Sequence, residues 1–133
     1  MNAGMFAAVA AGGALGAMTR YAVSLAVGGG AFGVPGPLAT LGVNVVGSAM
    51  MGGLAGAVAA GFVVPEMWRG FIAIGFLGAL TTFSSFALDT GTLLARQGHM
   101  TAILYIGLSV CLSLIAFFLV HTVVAGLLAR GAG

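Results

Sequence analysis

Ionisable side chains are nearly absent from this chain: 5% of its 133 residues are charged, against roughly 25% in a soluble domain. A chain so poor in charge has too little polar surface to face water, so lipid is its solvent. The net charge of +2 rests on Arg20, Arg69, Arg96 and Arg130 against Glu66 and Asp89. There is no basic stripe and no charge run, which excludes a nucleic-acid surface. One cysteine, Cys111, stands alone in an apolar run, so no internal disulfide forms. It reads as a small packing residue. No apolar run has a carboxylate near its centre. Proton-coupled export and a rotor-ring role both need a titratable group within the membrane, and are disfavoured. Also missing are a His/Cys/Asp/Glu cluster at metal-ligand spacing, a nucleophile–base pair, and a phosphate-binding glycine loop followed by lysine. Enzyme activity has no support.

What the chain has is apolar length. Hydrophobic residues make up 61% of it, and its mean hydropathy is +1.22. At about 20 residues per helical crossing, there is room for about four spans. The apolar runs are continuous and lack the alternation of barrel strands. The fold class is therefore all-α, one small four-helix membrane domain over residues 1–133. The expected spans are about 4–27, 38–61, 66–96 and 100–129. No Lys or Arg precedes the first apolar stretch, so it reads as a span rather than a cleaved signal.

One stretch breaks the pattern. Gly75-Phe-Leu-Gly-Ala-Leu-Thr-Thr-Phe-Ser-Ser-Phe86 packs two glycines, four hydroxyl residues and three phenylalanines into twelve positions. Glycines and adjacent hydroxyls let backbone leave helical geometry at membrane depth, where the freed groups must be satisfied inside protein. Ion and substrate sites are built at such breaks. The third span, 66–96, is longer than a straight crossing requires. It is expected to be two half-helices around a break near 78–82, with Phe83 and Phe86 on one face of the second half. Asp89 continues that face.

Elsewhere, Gly12 and Gly16 form a small-xxx-small pair suited to close helix approach. Arg20, about sixteen residues into the first apolar run, is either an interfacial arginine beside Tyr21 or a cation at the mouth of an aqueous vestibule. Gly28 to Pro37, with five glycines and two prolines, reads as a loop. Asn44 is the strongly polar residue of the second span. It either glues helices by hydrogen bonding or lines a pathway. Glu66, Trp68 and Arg69 suit a helix start at headgroup level, and His121 suits the interface. On the fourth span, Tyr105, Ser109 and Ser113 recur every four residues and form one polar stripe. A lone helical serine usually bonds its own i−4 carbonyl; three aligned hydroxyls favour a polar track.

Hydroxyls, one amide, a phenol and ring edges are donors without formal charge. Such a set suits a small anion, because conduction requires weak, serial binding. Topology adds a second clue. With four spans, Arg69 and Arg130 fall on one side and Arg20 and Arg96 on the other. The balance gives insertion little direction, which permits both orientations and, with them, an antiparallel dimer.

Three segments resemble one family: Gly12-Gly-Ala-Leu-Gly16 with Arg20-Tyr21, Thr40-Leu-Gly-Val-Asn44-Val-Val-Gly47-Ser48, and Gly75 to Phe86. Together they are similar to the bacterial fluoride channels of the Fluc, or CrcB, type, over essentially the whole chain. The resemblance implies a dual-topology antiparallel homodimer in the bacterial inner membrane, passively exporting fluoride through two pores. It implies a pathway of Asn44, Phe83, Phe86, Tyr105, Ser109 and Ser113, with Arg20 at a vestibule; the hydroxyls of Thr82 and Ser85 are further candidates. It also implies a structural sodium ion at the dimer centre, held by the backbone carbonyls of Gly78 and Thr81. Ala79, Ser85 and Asp89 depart from the commonest family residues. The rival reading is a small multidrug-type proton-coupled exporter, for which the first span lacks the needed carboxylate. A non-transporting assembly subunit would leave the Thr81–Phe86 cluster and the Tyr105 stripe unexplained.

Overall fold

A computed structural model describes residues 3–28 and 36–131. The loop expected between Gly28 and Pro37 falls, over 29–35, outside the described residues. The described chain is helical, with elements α1 (Ala3–Gly28), α2 (Pro37–Ala59), α3 (Glu66–Arg69), a π-helical segment (Gly70–Leu77), α4 (Gly78–Leu80), α5 (Phe83–Gln97) and α6 (His99–Gly131). By length and composition, four stretches are able to cross a membrane: Ala3–Val27, Pro37–Ala59, Glu66–Gln97 and His99–Gly131.

Local chemistry sets the boundaries. Pro37 opens α2 at its first turn, where a missing N–H costs nothing. Gly61 and Gly98 sit at φ +89° and +90°, a region glycine enters without a Cβ clash. Gly98 turns the chain directly from α5 into α6.

Packing follows the glycines. α1 lies along the π-helical segment, and α2 lies along α6. A Cβ added at Gly12 or Gly16 would run into the carbonyls of Phe71 and Phe76, while one at Gly75 would meet Val9 O at 2.6 Å. The α1 face marked by the small-xxx-small pair thus touches backbone directly. On α2, Gly52 and Gly56 meet the carbonyls of Phe117 and His121 in the same way.

Nothing in the residue pattern points to the π-helix. Its wider turn sits where α1 presses closest, one element before the interruption at Thr81, and π-bulges favour functional positions. The buried core is thin. Val43, Leu77 and Leu80 form one cluster, and Leu93, Ala102 and Tyr105 another. Most large apolar side chains point outward, as lipid solvation or a partner surface requires.

Candidate functional site

After Leu80 the backbone leaves the helix. Thr81 is extended at φ −80°, ψ 153°, and Thr82 at φ −152°, ψ 124°. Helical bonding resumes because Thr82 caps α5. Its Oγ1 accepts from Ser85 N at 3.2 Å, as a threonine at the N-cap does. The same oxygen donates to Ser85 Oγ at 3.1 Å and lies 3.2 Å from Ser84 Oγ. Clustering hydroxyls around residue 82 thus lets a new helix begin without its predecessor.

The Thr82 peptide groups are held from another helix. Asn44 Oδ1 accepts Thr82 N–H at 2.8 Å, and Asn44 Nδ2 donates to Thr82 O at 3.1 Å. Asn44 bonds across helices through its amide, the first of its two expected roles, and it also lines a cavity.

These bonds have a second effect. In an unbroken helix the Thr82 N–H would serve the Gly78 carbonyl, and the Ser85 N–H would serve the Thr81 carbonyl. Here Asn44 takes the first donor and the Thr82 hydroxyl the second. Gly78 and Thr81 thus carry carbonyl oxygens whose helical donors are engaged elsewhere. Backbone oxygens of this kind suit a hard cation. Among the described residues there is no cluster of three or more His, Cys, Asp or Glu able to hold a metal.

A cavity of about 440 Å³ runs beside the break. Asn44, Thr82, Phe83, Phe86, Ser109 and Ser113 line it, together with Gly78 and Thr81. Six of the eight expected pathway residues therefore share one surface. Ser85 sits behind Thr82. Tyr105 sits behind Phe86, their rings 5.5 Å apart, and Phe86 in turn lies 5.5 Å from Phe83. Arg20, on α1 and half-buried, is not among the lining residues. Phe83 is 79% exposed, so its own chain leaves the open side of the cavity uncovered.

Two further groups went unassigned from sequence. Asp89 is buried and accepts from the Tyr105 hydroxyl at 3.3 Å. Thr40 is buried, and its Oγ1 and Ser109 Oγ have no hydrogen-bond partner. Both hydroxyls lie beside the Tyr105 phenol. Thr40 stands one turn before Asn44 on α2, a spacing that places them on one face. That spacing was the available signal. Phe117, also lining the cavity, had none, because an aromatic ring on an apolar helix looks like any lipid-facing residue.

Taken together, these features describe a small membrane protein with an interrupted third span and an uncharged polar groove. The family model described as CrcB-like protein, camphor resistance (CrcB), matches residues 7–127. The chain belongs to the CrcB family. It is 42% identical over 114 residues to a protein of Photobacterium profundum named fluoride-specific ion channel FluC, covering 84% of this chain and 87% of that one. A protein of the same name from Rhodospirillum centenum is 42% identical over 125 residues, covering 91% and 98%. Another, from Thermococcus gammatolerans, is 40% identical over 121 residues, covering 90% and 94%.

Proposed function

We propose that this chain is a fluoride-selective channel that lets fluoride leave the cell passively. It works as an antiparallel homodimer with two pathways in the inner membrane. The observation that carries the reading is the cavity beside the break, where Asn44, Phe83, Phe86, Ser109 and Ser113 meet. Hydroxyl and amide donors and the positive edges of aromatic rings replace hydration around a small anion. None adds a formal charge that would hold the ion too tightly for conduction. The buried, unpartnered hydroxyls of Thr40 and Ser109 extend the donor set toward Tyr105.

The break lies at membrane depth, and the dimer covers it. Exposure of Phe83 supports this, because a pathway ring left open to lipid could not exclude acyl chains. The arginine balance supports insertion in both orientations. Arg20 belongs to the vestibule, where it draws anions toward the mouth. The carbonyls of Gly78 and Thr81 fit an oxygen-liganded sodium ion shared at the dimer centre. A sodium ion held by these oxygens would supply positive charge to carbonyl groups whose helical donors are engaged elsewhere.

The proton-coupled alternative requires a carboxylate on the first span, and α1 carries neither Asp nor Glu. The deciding experiment is fluoride efflux from liposomes holding only this purified chain, beside chloride efflux from the same preparation. Fast fluoride release with negligible chloride release is expected. Well-inserted protein that releases no fluoride would overturn the reading.

A further inference from the structure

The polar stripe of α6 does not stop at Ser113. Phe117 and His121 follow Ser113 at four-residue steps, and at about 40° of drift per step these three still share one helix face, turned away from that of Tyr105. Ser109, Ser113 and Phe117 line the cavity. One turn further, the His121 ring stacks on Phe117, with centroids 6.1 Å apart and planes 19° apart. The backbone of that turn is pinned from α2, because a Cβ added at Gly56 would meet His121 O at 2.5 Å. The imidazole is half-buried; it is not itself a lining residue, and reaches the cavity through Phe117 one turn before it.

Resting on the channel reading above, we infer that His121 is the outer anion-binding step of the pathway at this end, and that its protonation raises anion capture. A neutral imidazole offers one N–H donor, whereas an imidazolium offers two and a positive charge. Imidazole changes charge within the ordinary physiological range. Among the described residues α6 packs only on α2 and α5. α2 carries no ionisable side chain, and α6 carries no Asp or Glu. On α5, Asp89 bonds Tyr105, at the other end of the stripe, and Arg96 lies beyond it. On α6 itself, His99 and Arg130 lie far along the helix and Cys111 falls between turns of the stripe. A captured fluoride would pass the Phe117 ring edge to the Ser113 hydroxyl, from one weak donor to the next.

The test is fluoride current across planar bilayers containing the purified chain, at low ionic strength, at about pH 8 and about pH 5.5. Current is the proper readout because hydrogen fluoride crosses lipid uncharged. Wild-type conductance should rise about threefold on acidification, less so in high salt, since exposed charge is screened there. His121→Gln should lose the rise. His121→Lys should conduct better than His121→Gln at both pH values. His99→Gln, at the exposed α5–α6 turn, should keep the wild-type profile. The inference is overturned if wild type and His121→Gln share one pH profile, or if wild-type conductance falls on acidification. Absence of fluoride current from wild type at either pH would instead overturn the channel reading, and this inference with it.

Discussion

Asn44 and Thr82 form a two-bond clamp. The side-chain amide of α2 accepts the Thr82 N–H at 2.8 Å and donates to its C=O at 3.1 Å. An asparagine thus supplies what a continuous helix would have supplied at this residue. One N–H of Asn44 remains for the cavity it lines, and the clamp fixes which way that hydrogen points.

Replacing Asn44 tests the clamp. Asn44→Leu is similar in volume and removes both bonds. It leaves the Thr82 N–H and C=O without partners, at about 2–4 kcal/mol. The melting temperature in detergent should drop and fluoride efflux should fall at least about tenfold. Asn44→Asp keeps the acceptor and loses the donor, so its melting temperature should lie between those of wild type and Asn44→Leu.

Phe83 separates conduction from folding. It is 79% exposed on the single chain, so Phe83→Ile leaves the chain's own core untouched. The change keeps apolar bulk and deletes the ring edge. Fluoride efflux should fall about tenfold or more while the crosslinking pattern stays that of wild type. Unchanged efflux would remove the ring from the pathway.

The glycines of α1 give a stability contrast. A Cβ at Gly12 or Gly16 overlaps the backbone of the π-helical segment, whereas one at Gly13 meets nothing within 4 Å. Gly12→Ala and Gly16→Ala should each destabilise by about 1–3 kcal/mol through forced separation of the helices. Gly13→Ala should be neutral or slightly stabilising, because it trades glycine for a better helix former. Thermal unfolding of the three variants side by side is the check.

Tyr105 protects a buried carboxylate. Tyr105→Phe removes the bond to Asp89 Oδ2 and leaves Asp89 buried without it, at about 1–3 kcal/mol. Efflux should fall together with the melting temperature. Adding Asp89→Asn to Tyr105→Phe should restore part of the melting temperature, because the carboxyl group that lost its partner is gone.

Sodium should matter for the assembled protein. Replacing Na⁺ by a large organic cation should lower the melting temperature, since an ion bound only by the native state adds about 2.7 kcal/mol at a hundredfold excess over its Kd. Asn44→Leu should blunt that sodium dependence, because the clamp diverts the donor from the Gly78 carbonyl. Equal melting with and without Na⁺ would overturn the proposed sodium site.

Much of this was readable in one dimension. Scarcity of charge and the length of the apolar runs dictated a helical membrane chain, because lipid leaves backbone no other partner than itself. Thr81-Thr82-Phe-Ser-Ser marked the interruption because cap chemistry is local: the residue that starts α5 and the N–H it satisfies lie three positions apart. The four-residue spacing on α6 likewise put Tyr105, Ser109 and Ser113 on one face before any packing was known.

Partnership across helices was decided only by the tertiary structure. Asn44 and Thr82 are 38 positions apart, and no periodicity says which backbone group an amide will meet. The π-helical turn of Gly70–Leu77 arises where α1 presses on it through glycines, a contact between distant segments. Burial of Asp89 against Tyr105, and the stranding of the Thr40 hydroxyl, depend on how α2, α5 and α6 converge. Sequence determined which segments are helical and where helical bonding fails. Packing determined which groups repair the failure and which are left without a helical partner, because hydrogen bonds between helices are selected by distance in space and not by spacing along the chain.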